Sequence, residues 1–143
     1  VDPHTGDVQV LDYVAVEDVG RIINPATLHG QTVGAIVQGL GGALLEQITY
    51  DAQAQLLTGS FVDYAMPAAG KFASVRVIAL ENHPSPVNPL GAKGAGEGGI
   101  IPVGGVIANA VAAALATLKV LPCALPLSPH RVWELIQEAG KGA

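Results

Sequence analysis

Charge and aromatic rings are both in short supply in this sequence. Charged residues make up 13% of its 143 positions and aromatic ones 4%, while half of the chain is hydrophobic. So apolar a chain can bury a core, which excludes intrinsic disorder. With few large rings to fill space, that core has to close by near approach of backbones, using Gly, Ala and Val. Basic residues number 7 against 12 acidic ones. They form no patch, which argues against a nucleic-acid partner. The single cysteine, Cys123, excludes an internal disulfide and carries no mark of an oxidising compartment. Its setting, "LPCALP", predicts a buried structural thiol. His4, His29, His83 and His130 have no paired spacing, so no zinc site is expected.

The sequence also lacks an initiating Met and a secretory leader, and opens directly on "VDPHTGDVQVLDYVAVEDVG". Residues 1–143 are therefore expected to be one portion of a longer protein, without an internal domain boundary. The uncharged run at residues 98–118 is long enough to cross a bilayer. Its Ala and Gly content, with Pro102 and Asn109 inside it, instead predicts a tightly packed helix over about Ile101 to Lys119.

Other elements are readable from local pattern. "DVQVLDYVAV" is strand-like, with β-branched Val8, Val10, Val14 and Val16. Asn24 is placed to cap a helix with Pro25 at its first position, running from about Ala26 to Gln47. Glycine costs a helix about 1 kcal/mol relative to Ala. Gly30, Gly34, Gly39, Gly41 and Gly42 thus require something pressed close to that helix, whether a neighbouring element or a ligand. "DAQAQ" reads as a turn and "LLTGSFVDY" as a short extended piece. "SVRVIALE" is a second strand, expected to be covered on both faces. Ser128 and Pro129 open a last helix whose buried stripe is Val132, Leu135, Ile136 and Ala139. Strands and helices alternate too irregularly for a doubly wound sheet. The expected class is α+β, mixed strands packed with Gly/Ala-rich helices.

"GAKGAGEGG", Gly91 to Gly99, holds one carboxylate, Glu97, in a glycine-rich loop. Gly94, Gly96 and Gly99 satisfy the spacing of a dinucleotide fingerprint. That motif needs a strand directly before it and an acid about twenty residues on, and here a proline-rich loop precedes it and Lys119 lies downstream. A P-loop fails as well, because Lys93 is followed by Gly94 rather than Ser or Thr. Two roles for Glu97 stay open. In one, glycines let the carboxylate and backbone N–H groups approach a bulky ligand together, and burial raises the acid's pKa to suit proton abstraction. In the other, Glu97 merely complements the dipole of the following helix.

The order of segments resembles the molybdenum hydroxylases of the xanthine oxidase family. "DVGRIINPATLHGQTVGAIVQGLGGALLEQ", then "DYAMP", then "GAKGAGEGG" before "IPVGGVIANAVAAAL" look like the large subunits of carbon monoxide dehydrogenase-type and aldehyde or isoquinoline oxidoreductase-type enzymes. The resemblance covers almost the whole chain but only the C-terminal part of such a subunit, inside its second molybdopterin-binding region.

That resemblance implies a role for particular residues. Glu97 falls on the family's active-site base, which takes a proton from a hydroxyl ligand of molybdenum during hydroxylation of an electron-poor carbon with water-derived oxygen. Gln31, in "HGQTVG", matches a glutamine that hydrogen-bonds the pterin, and Lys93, Gly94, Ala95 and Gly96 would line the cofactor side of the loop. No metal ligand is implied from this chain. The implied cofactor is molybdenum–molybdopterin in its cytosine dinucleotide form, with iron–sulfur clusters and FAD on partner subunits, in a cytoplasmic enzyme. An aldehyde or N-heteroaromatic compound is the implied substrate class. The family's first cofactor-binding region is missing from these residues, so the isolated chain should be inactive and its exposed apolar faces should promote self-association. The alternative is a non-catalytic assembly domain, in which the glycine-rich loop only caps a helix.

Overall fold

The computed structural model describes residues 1–72 and 74–141. Two strands and three helices follow in the order β1 (Tyr13–Asp18), α1 (Pro25–Leu44), β2 (Val75–Leu80), α2 (Val103–Ala114) and α3 (Pro129–Lys141). A short 3-10 turn, Ala116–Leu118, follows α2. The strands pair in parallel from Tyr13 opposite Val75 to Asp18 opposite Leu80, so the connection carrying α1 is the crossover between them. The α+β class is observed.

Local chemistry sets the helix starts. Asn24 is extended, and its Oδ1 accepts the Thr27 amide at 3.1 Å, with Pro25 supplying the preset φ of the first turn. Ser128 caps α3 more loosely, its Oγ accepting from the Arg131 amide at 3.4 Å. Of the predicted α3 stripe, Val132 and Ile136 are buried, and Leu135 and Ala139 pack against the core from its margin.

The core forms where α1 meets α2. Ile36, Leu40, Ala43 and Leu44 of α1 face Val103, Ile107 and Val111 of α2, with Leu127 and α3 closing one side. Gly39 lets the helices approach closely, since a Cβ there would lie 2.7 Å from the Val103 Cγ2. Gly41 is likewise pressed by Pro67. Gly30, Gly34 and Gly42 have nothing near them among the described residues, so the expected close packing accounts for part of the glycine content of α1 and not for the rest.

Several expectations are corrected. β1 starts at Tyr13 rather than near Asp7, because Val8 and Val10 pack onto the core without a paired neighbour strand. The piece around Leu56 forms one isolated bridge, to Tyr50, instead of a strand. β2 is covered on one face only: Val75 and Val77 pack inward, while Arg76 and Ile78 are exposed beside Val14 and Val16 of β1. One layer of helices covers this sheet, and no described element lies over its other side. α2 starts at Val103, two residues beyond the expected point, and stops at Ala114. Cys123 is exposed, not buried. Its thiol donates to the Leu121 carbonyl at 3.3 Å, in a segment that runs over the surface. Among the described residues no helix is long and apolar enough to cross a membrane, and no His/Cys/Asp/Glu cluster could hold a metal.

Candidate active site

The glycine-rich loop is fastened before it reaches Glu97. Gly20 and Ala92 form an antiparallel bridge, with the Arg21 amide donating to Gly91 O at 3.0 Å and the Lys93 amide to Val19 O at 3.0 Å. Gly20 and Gly91 both have positive φ, which lets the two turns meet back to back. Asn88 clamps Ala92 from both sides, its Nδ2 donating to Ala92 O at 2.9 Å and its Oδ1 accepting from Ala92 N at 3.2 Å.

Asp18, the last residue of β1, ties three segments together. It accepts from Gly20 N at 3.1 Å, from His83 N at 3.0 Å and from the Lys93 ammonium at 3.0 Å. The Gly20 amide foremost, with Lys93 beside it, holds this carboxyl below its ordinary pKa. The Lys93 side chain is thus turned back toward β1. Its stem and Ala95 border a cavity of about 310 Å³ at the start of α1, together with Arg21, Asn24 and Thr27.

Next to Glu97 the loop is held from both sides. Gln31 Nε2 on α1 donates to Gly96 O at 2.8 Å across 65 residues of sequence, leaving its Oε1 without a partner among the described residues. A Cβ at Gly98 would lie 2.8 Å from Glu17 Oε2, and one at Gly99 would lie 2.6 Å from Thr32 O. The Glu97 carbonyl takes the amides of Ile100 at 3.1 Å and Ile101 at 3.3 Å, closing the turn that leads into α2. Its carboxylate is exposed and has no hydrogen-bond partner among the described residues. The burial expected for this acid is not supplied by the chain itself. Nor does Glu97 cap α2, which has no side-chain cap and no acid in its first turn.

The amides of residues 94–99 likewise donate to no acceptor among the described residues. Gln31 and Gly96 are therefore in direct contact, Lys93 and Ala95 share a cavity wall, and Gly94 stands in open space. An exposed carboxylate and an exposed carboxamide thus lie at one end of the fold, beside a loop whose amides lack acceptors among the described residues.

Residues 1–73, about half of the chain, match the molybdopterin cofactor-binding domain. The chain belongs to the xanthine oxidase family of molybdenum hydroxylases. The 6-hydroxypseudooxynicotine dehydrogenase complex subunit gamma of Paenarthrobacter nicotinovorans is 42% identical over 99% of this chain and 18% of its own length. Reconstituted CO dehydrogenase from Oligotropha carboxidovorans superposes with a TM-score of 0.92 at 30% identity, covering 100% of this chain and 18% of that one. Quinoline 2-oxidoreductase from Pseudomonas putida 86 gives 0.83 at 41% identity, over 87% of this chain and 16% of that one. The chain thus spans less than a fifth of the molybdenum hydroxylase subunits that it matches.

Asp18, Glu17, Asn88 and Thr32 act at this site without any role expected from the sequence. Asp18 and Glu17 both lie in "VAVEDVG", where strand alternation puts Glu17 on the same side as the buried Tyr13. An acid at an inward strand position was the available signal.

Proposed function

We propose that this chain is the base-bearing part of a molybdenum hydroxylase. Glu97 acts as general base, and Gln31, Lys93, Gly94, Ala95 and Gly96 lie on the cofactor side. The observation that carries this reading is the Glu97 carboxylate itself, without a partner while its neighbours on either side are held in place.

The residues present fit a large, oxygen-rich anionic cofactor. Consecutive backbone N–H groups without acceptors form a donor surface of the kind that binds phosphates and related anions. Gly94 and Gly96 keep that surface clear of side chains, with no atom near either Cβ position. Gln31 retains one Nε2 hydrogen and its Oε1 for polar ring edges, while its bond to Gly96 O fixes the direction of the amide. Lys93, paired with Asp18, contributes its backbone and stem rather than its charge. When bound, the molybdenum centre supplies the two-electron redox chemistry of the hydroxylation. Glu97 supplies a carboxylate oxygen that accepts a proton, from a position where no side chain at 96 or 98 crowds it. The remainder of the large subunit supplies the wall that excludes water from this acid.

An N-heteroaromatic compound is the favoured substrate class. Three relatives with about two-fifths identity are named for 6-hydroxypseudooxynicotine, nicotine or quinoline, against 33% for the carbon monoxide dehydrogenase large chains. The cytosine dinucleotide form of the cofactor, and iron–sulfur and flavin subunits as partners, belong to the same proposal. Glu97→Gln in the complete enzyme should lower kcat by about 10²–10⁴-fold with molybdenum content near normal. Turnover that survives this change would remove the assigned role. A pure assembly domain would instead lose stability or association with little kinetic effect.

A further inference from the structure

Among the described residues, two buried side-chain oxygens lack any hydrogen-bond partner, Glu17 Oε1 and Thr32 Oγ1. Both belong to residues that flank the Gly98–Gly99 pair immediately after Glu97. For Thr32 the close contact is made by its backbone carbonyl against Gly99. For Glu17 it is made by the carboxyl group, whose Oε2, Cδ and Oε1 lie 2.8, 3.2 and 3.5 Å from where a Cβ at residue 98 would stand.

An acid is a costly choice for that strand position. Glu17 faces inward with Tyr13 and Ala15, and a carboxyl oxygen buried without a partner destabilises the folded state. An apolar residue would serve the core better. What glutamate adds is reach, because its planar terminal group extends from β1 to the backbone of the loop. There it borders an open depression of about 370 Å³ with Gly98, Pro102 and Val106.

We propose that Glu17 is a positioning residue for Glu97: its carboxyl group backs the Gly98 Cα and sets the turn from which Glu97 projects. The role rests on Glu97 being the base. Glu17 touches neither substrate nor cofactor in it. Gln31 holds the turn from one side through Gly96 O, and Glu17 blocks it from the other by occupying the space beside Gly98. Glycine at 98 is then a requirement of this contact, since any Cβ would displace the carboxyl group or the turn.

The test is amide hydrogen exchange in the complete enzyme, read at Ile100 and Ile101, whose amides bond the Glu97 carbonyl. Glu17→Ala should speed exchange at both on the order of tenfold and leave the buried middle of α1 unchanged. It should also lower kcat while KM and molybdenum content hold. Glu17→Gln, which keeps the shape, should match the parent in kcat and in exchange at Ile100 and Ile101 relative to the middle of α1. Gly98→Ala should reproduce the fast exchange, and Glu17→Ala should restore slow exchange when combined with it, because the new methyl enters the vacated space. Should Glu17→Ala not fold, Glu17→Asp, one methylene shorter, gives the same readout. Unchanged exchange at Ile100 and Ile101 in the shortened variants, or a double variant no better than Gly98→Ala, would overturn the proposal. Survival of turnover in Glu97→Gln would sink the base assignment and leave the exchange outcome to decide on Glu17 independently.

Discussion

The connection from α1 to β2 and the one from β2 to α2 both lack regular structure over long stretches, yet they are held differently. In the first, apart from the Ser74 carbonyl that accepts the Tyr13 amide where β2 begins, the hydrogen bonds of the described residues stay local. Asp51 turns back on Gln53 and Gln55, Ser60 bonds Asp63, and Phe61 and Val62 stand 84% and 93% exposed. In the second, the bonds reach far along the chain, from His83 and Lys93 to Asp18 and from Gly96 to Gln31. Local bonds give a segment its shape, and distant ones give it a place in the molecule. Glu97, the proposed base, lies in the second connection.

The sharpest way to break this contrast is to add the same methyl group to each connection. Gly99→Ala drives a Cβ to 2.6 Å from the Thr32 carbonyl, a backbone atom on α1 that cannot step aside. A loss of about 1–3 kcal/mol is expected in urea unfolding. Gly59→Ala meets nothing nearer than Leu56 Cδ2 at 3.5 Å and should stay within about 0.5 kcal/mol. Equal losses would mean that both connections are equally anchored.

A smaller effect is expected from removing one clamp in each. Asn88→Ala deletes two bonds to Ala92 and should cost about 1 kcal/mol, with faster amide exchange extending to Lys93. Asp51→Ala frees Gln53 and Gln55 and should change exchange at those amides alone. Spread of the Asp51→Ala effect to β2 would contradict the division drawn here.

Acid titration gives the smallest signal. Asp18 has its pKa lowered below the ordinary 3.8, foremost by the Gly20 amide, with Lys93 and the His83 amide adding to this against an opposing effect of burial. Its contribution is therefore complete above about pH 3.8 and fades as pH falls through the lowered folded value. Asp18→Asn should flatten the acid limb of the stability curve, read as thermal midpoint against pH. Glu17 works in the opposite direction. Burial raises its pKa above 4.5, so it costs stability as pH rises through that range, and its charge adds to the burial that raises the Tyr13 phenol. Glu17→Gln should thus gain relative to the parent toward neutral pH.

What the sequence disclosed follows the same line between near and far. Asn24 with Pro25, and Ser128 with Pro129, announced the starts of α1 and α3 because capping depends on residues three apart. Residue pattern alone starts β1 too early because a strand ends where its partner ends, and Tyr13 is where Val75 lies opposite. Composition made Cys123 look interior, but it does not say which way a surface-running segment turns its side chain. Glu97 stood out by its isolation among glycines. Its loop looked pliable for the same reason, while the contacts from Gln31, Glu17 and Thr32 that restrain it come from distant sequence.

The bond between Gln31 and Gly96 spans 65 residues, so closing it brings together segments far apart in the chain. Loop-closure entropy delays such a contact relative to the helix starts. A growing or half-collapsed polypeptide therefore carries Glu97 only as an ordinary solvated acid, and the proposed base gains a fixed place only once contacts such as this one and the still longer Lys93–Asp18 pair have closed.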